Sequence, residues 1–220
     1  NGLPDNEVFF FKEDRKGRLW LGTFNGALCY FKEGVFHTAA NTPFLQVPTI
    51  SEHIRLITLE QDGSVLVLFG DRSKFIDIDG EQCSFINLDQ LNNAEIIKSL
   101  VYVKKLSNKK YKLYCKDRVI IIDDIPRIIN SEPVGNKVTS HVGYAMAQDQ
   151  IYLYNEHNYY TDDTRLFEQL PAGVTVSNLH AIFRDGGRTF FSTTEGVVVN
   201  DTMQILKGNN ITSVITDLND

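Results

Sequence analysis

A chain of 220 residues and 25.0 kDa has room for one large domain or two small ones, and for a sizeable core. With 42% apolar and 23% charged residues it does not have the composition of a disordered tail. Its 22 basic against 28 acidic residues, net charge −6 and pI near 5.4, with no basic block, argue against a nucleic-acid groove and against an anionic membrane surface. The 19 Ile, 17 Val, 14 Phe and 9 Tyr against 8 Ala and 2 Met form a strand composition. The longest aliphatic run, Val119 to Ile122, is far short of a membrane span, so no direct membrane insertion is expected. Cys29, Cys83 and Cys115 show neither disulfide nor zinc spacing.

In chain order, the first unit predicts strands over 7–13, 18–23, 27–31 and 35–38, with the Asn25-Gly26 pair supplying the positive φ angles of a tight hairpin. The same hairpin spacing, nine residues from one turn to the next, recurs at Gly17/Gly26, Gly63/Arg72, Lys109/Arg118, Asp149/Asn158 and Gly187/Gly196. Each pair brackets an apolar run, at 65–69, 111–115 and 151–154 in the middle units. Residues 87–105 contain Leu88, Leu91, Ile96, Ile97 and Leu100 at helical spacing, which allows a short helix before Ser99. The last full unit predicts strands over 179–184, 189–193, 197–200 and 203–206, and 211–217 reads as the first strand of another.

The anchors at 17, 63, 109, 149 and 187 are 46, 46, 40 and 38 residues apart, the period of four-stranded propeller blades. The expected fold is therefore an all-β propeller of four-stranded antiparallel blades. Five blades, over about 3–44, 45–92, 93–135, 136–173 and 174–210, would be followed by one strand at 211–220. An unfinished blade, and a start without Met, lead to the expectation of a piece of a larger, seven-bladed type of ring.

The segment Asn1-Gly2-Leu3-Pro4-Asp5-Asn6-Glu7-Val8 to Glu13-Asp14, then Gly17-Arg18-Leu19-Trp20-Leu21-Gly22-Thr23 and Gly26, resembles the two-component regulator propeller repeat. Gly187-Arg188-Thr189-Phe190-Phe191-Ser192-Thr193 with Gly196 is a looser copy, and the resemblance covers about a quarter of the chain. It implies a periplasmic sensing region of a bacterial hybrid two-component histidine kinase, often tuned to carbohydrate breakdown products. It also implies further propeller and immunoglobulin-like modules in the same inner-membrane protein, and a homodimer. Phosphoryl transfer would be the parent's activity.

No nucleophile elbow, phosphate loop, zinc cluster or paired metal-binding histidines occurs, so no catalytic residue, metal or cofactor is expected. A propeller glycosidase would need two opposed carboxylates, whereas the acidic residues cluster at turns such as Asp123-Asp124 and Asp162-Asp163. Trp20 sits in the repeat signature and reads as packing between blades rather than as a sugar platform. The turns joining second and third strands share one face of a propeller, the face ligands commonly use. Here that face carries Asn25, Arg72, Arg118, His157 and Glu195, able to bind hydroxyls and, through the arginines, a carboxylate. Tyr160 adds a candidate stacking ring. An oligosaccharide sensor is the leading expectation; the alternative is a structural or protein-interaction propeller without a small ligand.

Overall fold

The computed structural model describes residues 2–46, 52–60, 62–107, 109–116, 118–133, 143–147, 150–154, 158–161, 168–175, 177–185, 187–199 and 203–205. They form five four-stranded antiparallel sheets, each built from strands consecutive in the chain in the order of a propeller blade. The first sheet contains β1 (Val8–Glu13), β2 (Leu19–Thr23), β3 (Leu28–Lys32) and β4 (Val35–His37). The second contains β5 (Ile54–Leu59), β6 (Val65–Phe69), β7 (Lys74–Asp79) and β8 (Gln82–Asn87). The third contains β9 (Leu100–Ser107), β10 (Lys110–Cys115), β11 (Arg118–Asp123) and β12 (Ile128–Pro133). The fourth contains β13 (Gly143–Ala147), β14 (Gln150–Tyr154), β15 (Asn158–Thr161) and β16 (Glu168–Gln169). The fifth contains β17 (Leu179–Asp185), β18 (Arg188–Thr193), β19 (Gly196–Val199) and β20 (Met203–Ile205). The extra strand expected at 211–217 lies outside the described residues.

Turn chemistry explains the regular hairpins. The residue closing the β1–β2 type of turn is left-handed in four sheets: Gly17 (φ 68°), Gly63 (φ 87°), Lys109 (φ 61°) and Gly187 (φ 79°). Glycine adopts this region freely, whereas a side chain there costs about 1–2 kcal/mol, so Lys109 is held against its own preference. The β2–β3 turn differs from the expected form. Gly26 alone has a positive φ (82°), its N–H donates to the Thr23 carbonyl, and the Thr23–Ala27 pair resumes the ladder. Asn25 contributes through its side chain instead of its backbone.

The helical spacing in 87–105 becomes a 3-10 turn at Leu88–Leu91 and helix α1 at Ala94–Ser99. Asn87 accepts from the Asp89 N–H and Asn93 from the Ile96 N–H, so two asparagines cap the two segments.

The chain divides into two compact units, Asn1–Val134 with three sheets and Gly135–Asp220 with two. In the first unit, β1 and β2 pack against β5, and β6 against β9. Trp20, Leu28 and Tyr30 meet Ile54, Ile57 and Val67 in the first seam. The signature residue Gly22 is placed there for a steric reason: a Cβ on it would lie 2.8 Å from Ile54 Cγ2. Leu56, Leu66, Leu68, Phe75 and Val103 line the second seam. In the second unit, Tyr159 sits edge-on to Phe191, 5.2 Å between ring centres, beside Val174, Leu179 and Ile182.

Candidate functional site

Polar side chains brace both the first sheet and the seam between the second and third sheets. Asp14, in the β1–β2 turn, accepts at Oδ2 from Trp20 Nε1 (2.8 Å) and Arg18 Nε (2.6 Å), while the Arg18 guanidinium lies 4.8 Å over the Trp20 ring. Burial raises the Asp14 carboxyl, but these donors outweigh it and leave the pKa below the ordinary value. Trp20 is wholly buried, so its ring is packing and no ligand platform. Arg188 repeats the arrangement over Phe190 at 5.9 Å. The spacing Arg-x-aromatic is thus a structural element of both matching repeats.

The second seam is held by charge. Lys105 on β9 places Nζ 3.1 Å from Asp77 Oδ2, 3.3 Å from Asp62 and 3.6 Å from Asp79, and Tyr111 donates its hydroxyl to Asp77 at 2.8 Å. Burial disfavours the Lys105 ammonium, yet Asp77 and then Asp62 more than offset it and raise its pKa. Glu60 occupies in the second sheet the turn position that Asp14 has in the first, and accepts from Thr58 Oγ1 (3.2 Å) and the Lys105 N–H (3.3 Å). Burial pushes its pKa from 4.5 up to about 7. Burial likewise raises the Cys29 and Cys83 thiols to about 11, which keeps them protonated at neutral pH.

The residues expected at the ligand face are distributed between the two units. Asn25 is exposed at the β2–β3 turn, with Oδ1 accepting from Thr23 Oγ1 (2.7 Å) and the Ala27 N–H (3.0 Å). Arg72, left-handed at φ 61°, occupies the equivalent β6–β7 turn and donates from Nη1 to the Lys98 carbonyl (2.9 Å) near the end of α1. Arg118 is exposed at the start of β11, opposite Pro133. In the second unit Glu195 lies in the β18–β19 turn, its N–H donating to Thr193 Oγ1 at 3.1 Å, and Tyr160 sits on β15 opposite Leu153. His157 lies outside the described residues. Asn25, Arg72 and Arg118 therefore share equivalent turns of one unit, with Asn25 and Arg72 already bonded to their own scaffold.

The same end of the first unit carries side chains not anticipated from the sequence. Phe24, 55% exposed in the β2–β3 turn, lies 5.5 Å from Phe9, 57% exposed on β1, and stacks on His53 at 6.2 Å with 12° between the rings. The His53 ring is seated over Gly70, where any Cβ would come within 2.4 Å of it. Phe9 is the extra residue of a β-bulge between Val8 and Phe10, and Arg55 is the extra residue of the equivalent bulge between Ile54 and Leu56. A bulge removes its extra residue from the strict in-and-out alternation. Accordingly Ile54 joins the first seam and Leu56 the second, leaving Arg55 between them. The available signal was the 46-residue period, which aligns Phe9 with Arg55, together with an aromatic in a hairpin turn that a polar residue would ordinarily fill. Among the described residues no group of three or more His, Cys, Asp or Glu is placed to hold a metal ion, and no helix is long and apolar enough to cross a membrane.

Comparison with known proteins agrees with this architecture. The family model of the two component regulator propeller matches residues 2–25, the segment that supplies Phe9, Trp20 and Phe24. No characterised protein matches the chain by sequence. Among solved structures, a streptogramin B lyase superposes with a TM-score of 0.63 at 14% identity, covering 94% of this chain and 72% of the lyase. The virginiamycin B lyase of Staphylococcus aureus gives 0.58 at 12% identity over 88% of this chain, which spans 65% of the lyase's length. The extracellular domain of BT4673 from B. thetaiotaomicron gives 0.54 at 10% identity, covering 99% of this chain and 39% of that one. At these identities the likeness is one of fold.

Proposed function

We propose that this chain is the ligand-sensing propeller region of an extracytoplasmic receptor of the two-component type, which binds an oligosaccharide and relays occupancy to a cytoplasmic histidine kinase. The observation that carries the reading is the exposed Phe9–Phe24–His53 stack, built largely from the segment that matches the regulator propeller repeat. Aromatic faces suit the C–H surface of a pyranose, and Asn25 and Asp5 border the stack with hydroxyl-bonding groups. Burying two phenylalanine rings under a sugar would offset the cost of their exposure. In this reading the chain binds rather than catalyses, works in the periplasm as part of an inner-membrane protein, and dimerises within its parent beside further propeller and immunoglobulin-like modules. Its five sheets are blades of a larger, seven-bladed type of ring. Support for a further blade comes from Phe11, 72% exposed, because Ile57, its equivalent one repeat later, is covered by the first sheet.

Calorimetric titration of the full chain against plant and host oligosaccharides tests the proposal. One saturable binder is expected, weakened at least tenfold by Phe24→Ala and by Phe9→Ala with no fall in melting temperature. A panel without any binder refutes it. The second reading, a protein-interaction propeller, is favoured by one observation: Ile125, Ile128 and Ile129 are exposed on and before the edge strand β12. A stable protein complex lost on Ile129→Lys, with no glycan binding, would establish that reading instead.

A further inference from the structure

The Phe24–His53 contact departs from a feature that the repeats otherwise share. In four sheets the first residue of the β2–β3 type of turn donates its N–H to the carbonyl of the residue just before the sheet's first strand: Phe24 to Glu7 (3.0 Å), Gly70 to His53 (2.9 Å), Lys116 to Ser99 (3.0 Å) and Thr194 to Asn178 (3.0 Å). This backbone bond belongs to the fold, and lysine and threonine make it as well as glycine does. The first sheet places an aromatic ring on the turn side of the bond, at Phe24. The second reverses the arrangement, with glycine on the turn side and the imidazole of His53 on the strand side. Gly70 is not required by its backbone, because its φ lies outside the left-handed region. What excludes a side chain there is His53: an added Cβ would lie 2.4 Å from Cε1, 2.7 Å from Nδ1 and 2.8 Å from Nε2 of the ring. Nor is the ring placed there to fill a core, since His53 is exposed.

We propose that Gly70 and His53 are positioning residues of the saccharide site: the bare backbone at Gly70 is a socket that seats the imidazole against Phe24 and so fixes the ring on which a sugar stacks. This deepens the saccharide-sensor reading and rests on it. Phe24 stands 55% exposed in a turn, where an unbraced phenylalanine samples several rotamers and loses that freedom on binding. Here Phe9 at 5.5 Å and the imidazole at 6.2 Å, only 12° from parallel, restrain the ring before a ligand arrives. The two braces come from different sheets, Phe9 from the bulge of β1 and His53 from the residue preceding β5, and β1 packs against β5. The platform is therefore assembled across the first seam by two consecutive repeats, and neither repeat supplies it alone. The other two sheets make the same backbone bond with Ser99 and Lys116 or with Asn178 and Thr194, and carry no ring at these positions.

Two measurements on the full chain test this. In proton–carbon NMR spectra with the histidine rings assigned, the His53 ring protons are expected to be displaced by the Phe24 ring current, and both Gly70→Ala and Phe24→Ala to return them towards ordinary histidine positions. Gly70→Ala should leave the urea midpoint unchanged, because what it moves is the far end of an exposed side chain. In calorimetry with hexasaccharides of plant β-glucan, xylan, mannan and pectin and of host glycosaminoglycans, Gly70→Ala and His53→Ala are expected to weaken binding about 2- to 10-fold. His53→Phe, which keeps a flat ring over Gly70, should restore most of that loss. His53 signals that do not move in Gly70→Ala overturn the socket. Wild-type affinity in Gly70→Ala and His53→Ala, with Phe24→Ala still weakening binding, overturns the positioning role and leaves the saccharide sensor standing. A His53→Phe variant as weak as His53→Ala also overturns it, because the imidazole would then bond the sugar directly. Absence of binding by every hexasaccharide overturns both.

Discussion

Glu60 makes the stability of the first unit depend on pH. Its carboxyl is buried in the second seam and its pKa is raised from 4.5 to about 7, with burial the dominant cause, partly opposed by the Thr58 hydroxyl, the Lys105 N–H and the Lys104 charge. Because the folded-state value is the higher one, the native chain binds more protons than the unfolded chain between pH 4.5 and 7, and stability falls as pH rises through that window. A rise from 4.5 to about 7, at about 1.4 kcal/mol per tenfold change in proton affinity, gives a loss of about 3 kcal/mol that is complete above pH 7. Glu60→Gln keeps one acceptor oxygen and a donor but cannot ionise. The variant should match the wild type near pH 4 and exceed it by about 3 kcal/mol at pH 8. Urea unfolding of both proteins from pH 4 to 8 measures the difference directly, and other titrating groups cancel in the comparison. A difference that stays constant with pH would refute the assignment of the raised pKa to burial in this seam.

Other perturbations probe the rest of the scaffold. Gly22→Ala puts a Cβ 2.8 Å from the buried Ile54 methyl, and should cost about 1–3 kcal/mol in chemical denaturation by overpacking the first seam. Asp77→Ala strips Lys105 and Tyr111 of their shared buried acceptor and should cost about 3–5 kcal/mol; a loss under 1 kcal/mol would mean that the cluster is not what joins these sheets. Lys109→Gly relieves a left-handed side chain and should stabilise by about 1 kcal/mol, less any contribution from its exposed pair with Asp124, read as a rise in melting temperature.

The repeat was legible because hairpin geometry is local. Left-handed turn residues and alternating apolar runs need only their neighbours in sequence, so 65–69 was placed residue for residue and the strands of the first and last units to within a residue or so at each end. The short helix at Ala94–Ser99 was visible for the same reason, as helical spacing of apolar residues, while its asparagine cap emerged only in the structure. The site was less legible. Arg72 looked like a free turn cation, yet its turn brings it to the Lys98 carbonyl, 26 residues away in sequence. Phe9 and Arg55 looked like ordinary strand residues, because a bulge depends on how two strands register and leaves little mark in either one alone.

By itself the sequence determined the period, the four-stranded units, the buried role of Trp20 and the polar turns. Each follows from backbone preference and side-chain alternation within about ten residues. Tertiary structure decided which carboxylates lock the seams, which aromatic rings stay uncovered, and which glycine seats the histidine beside them. Those properties belong to pairs of sheets: burial, an acceptor in reach and a ring to stack on are all supplied by residues some 15 to 50 positions away, which only packing brings together.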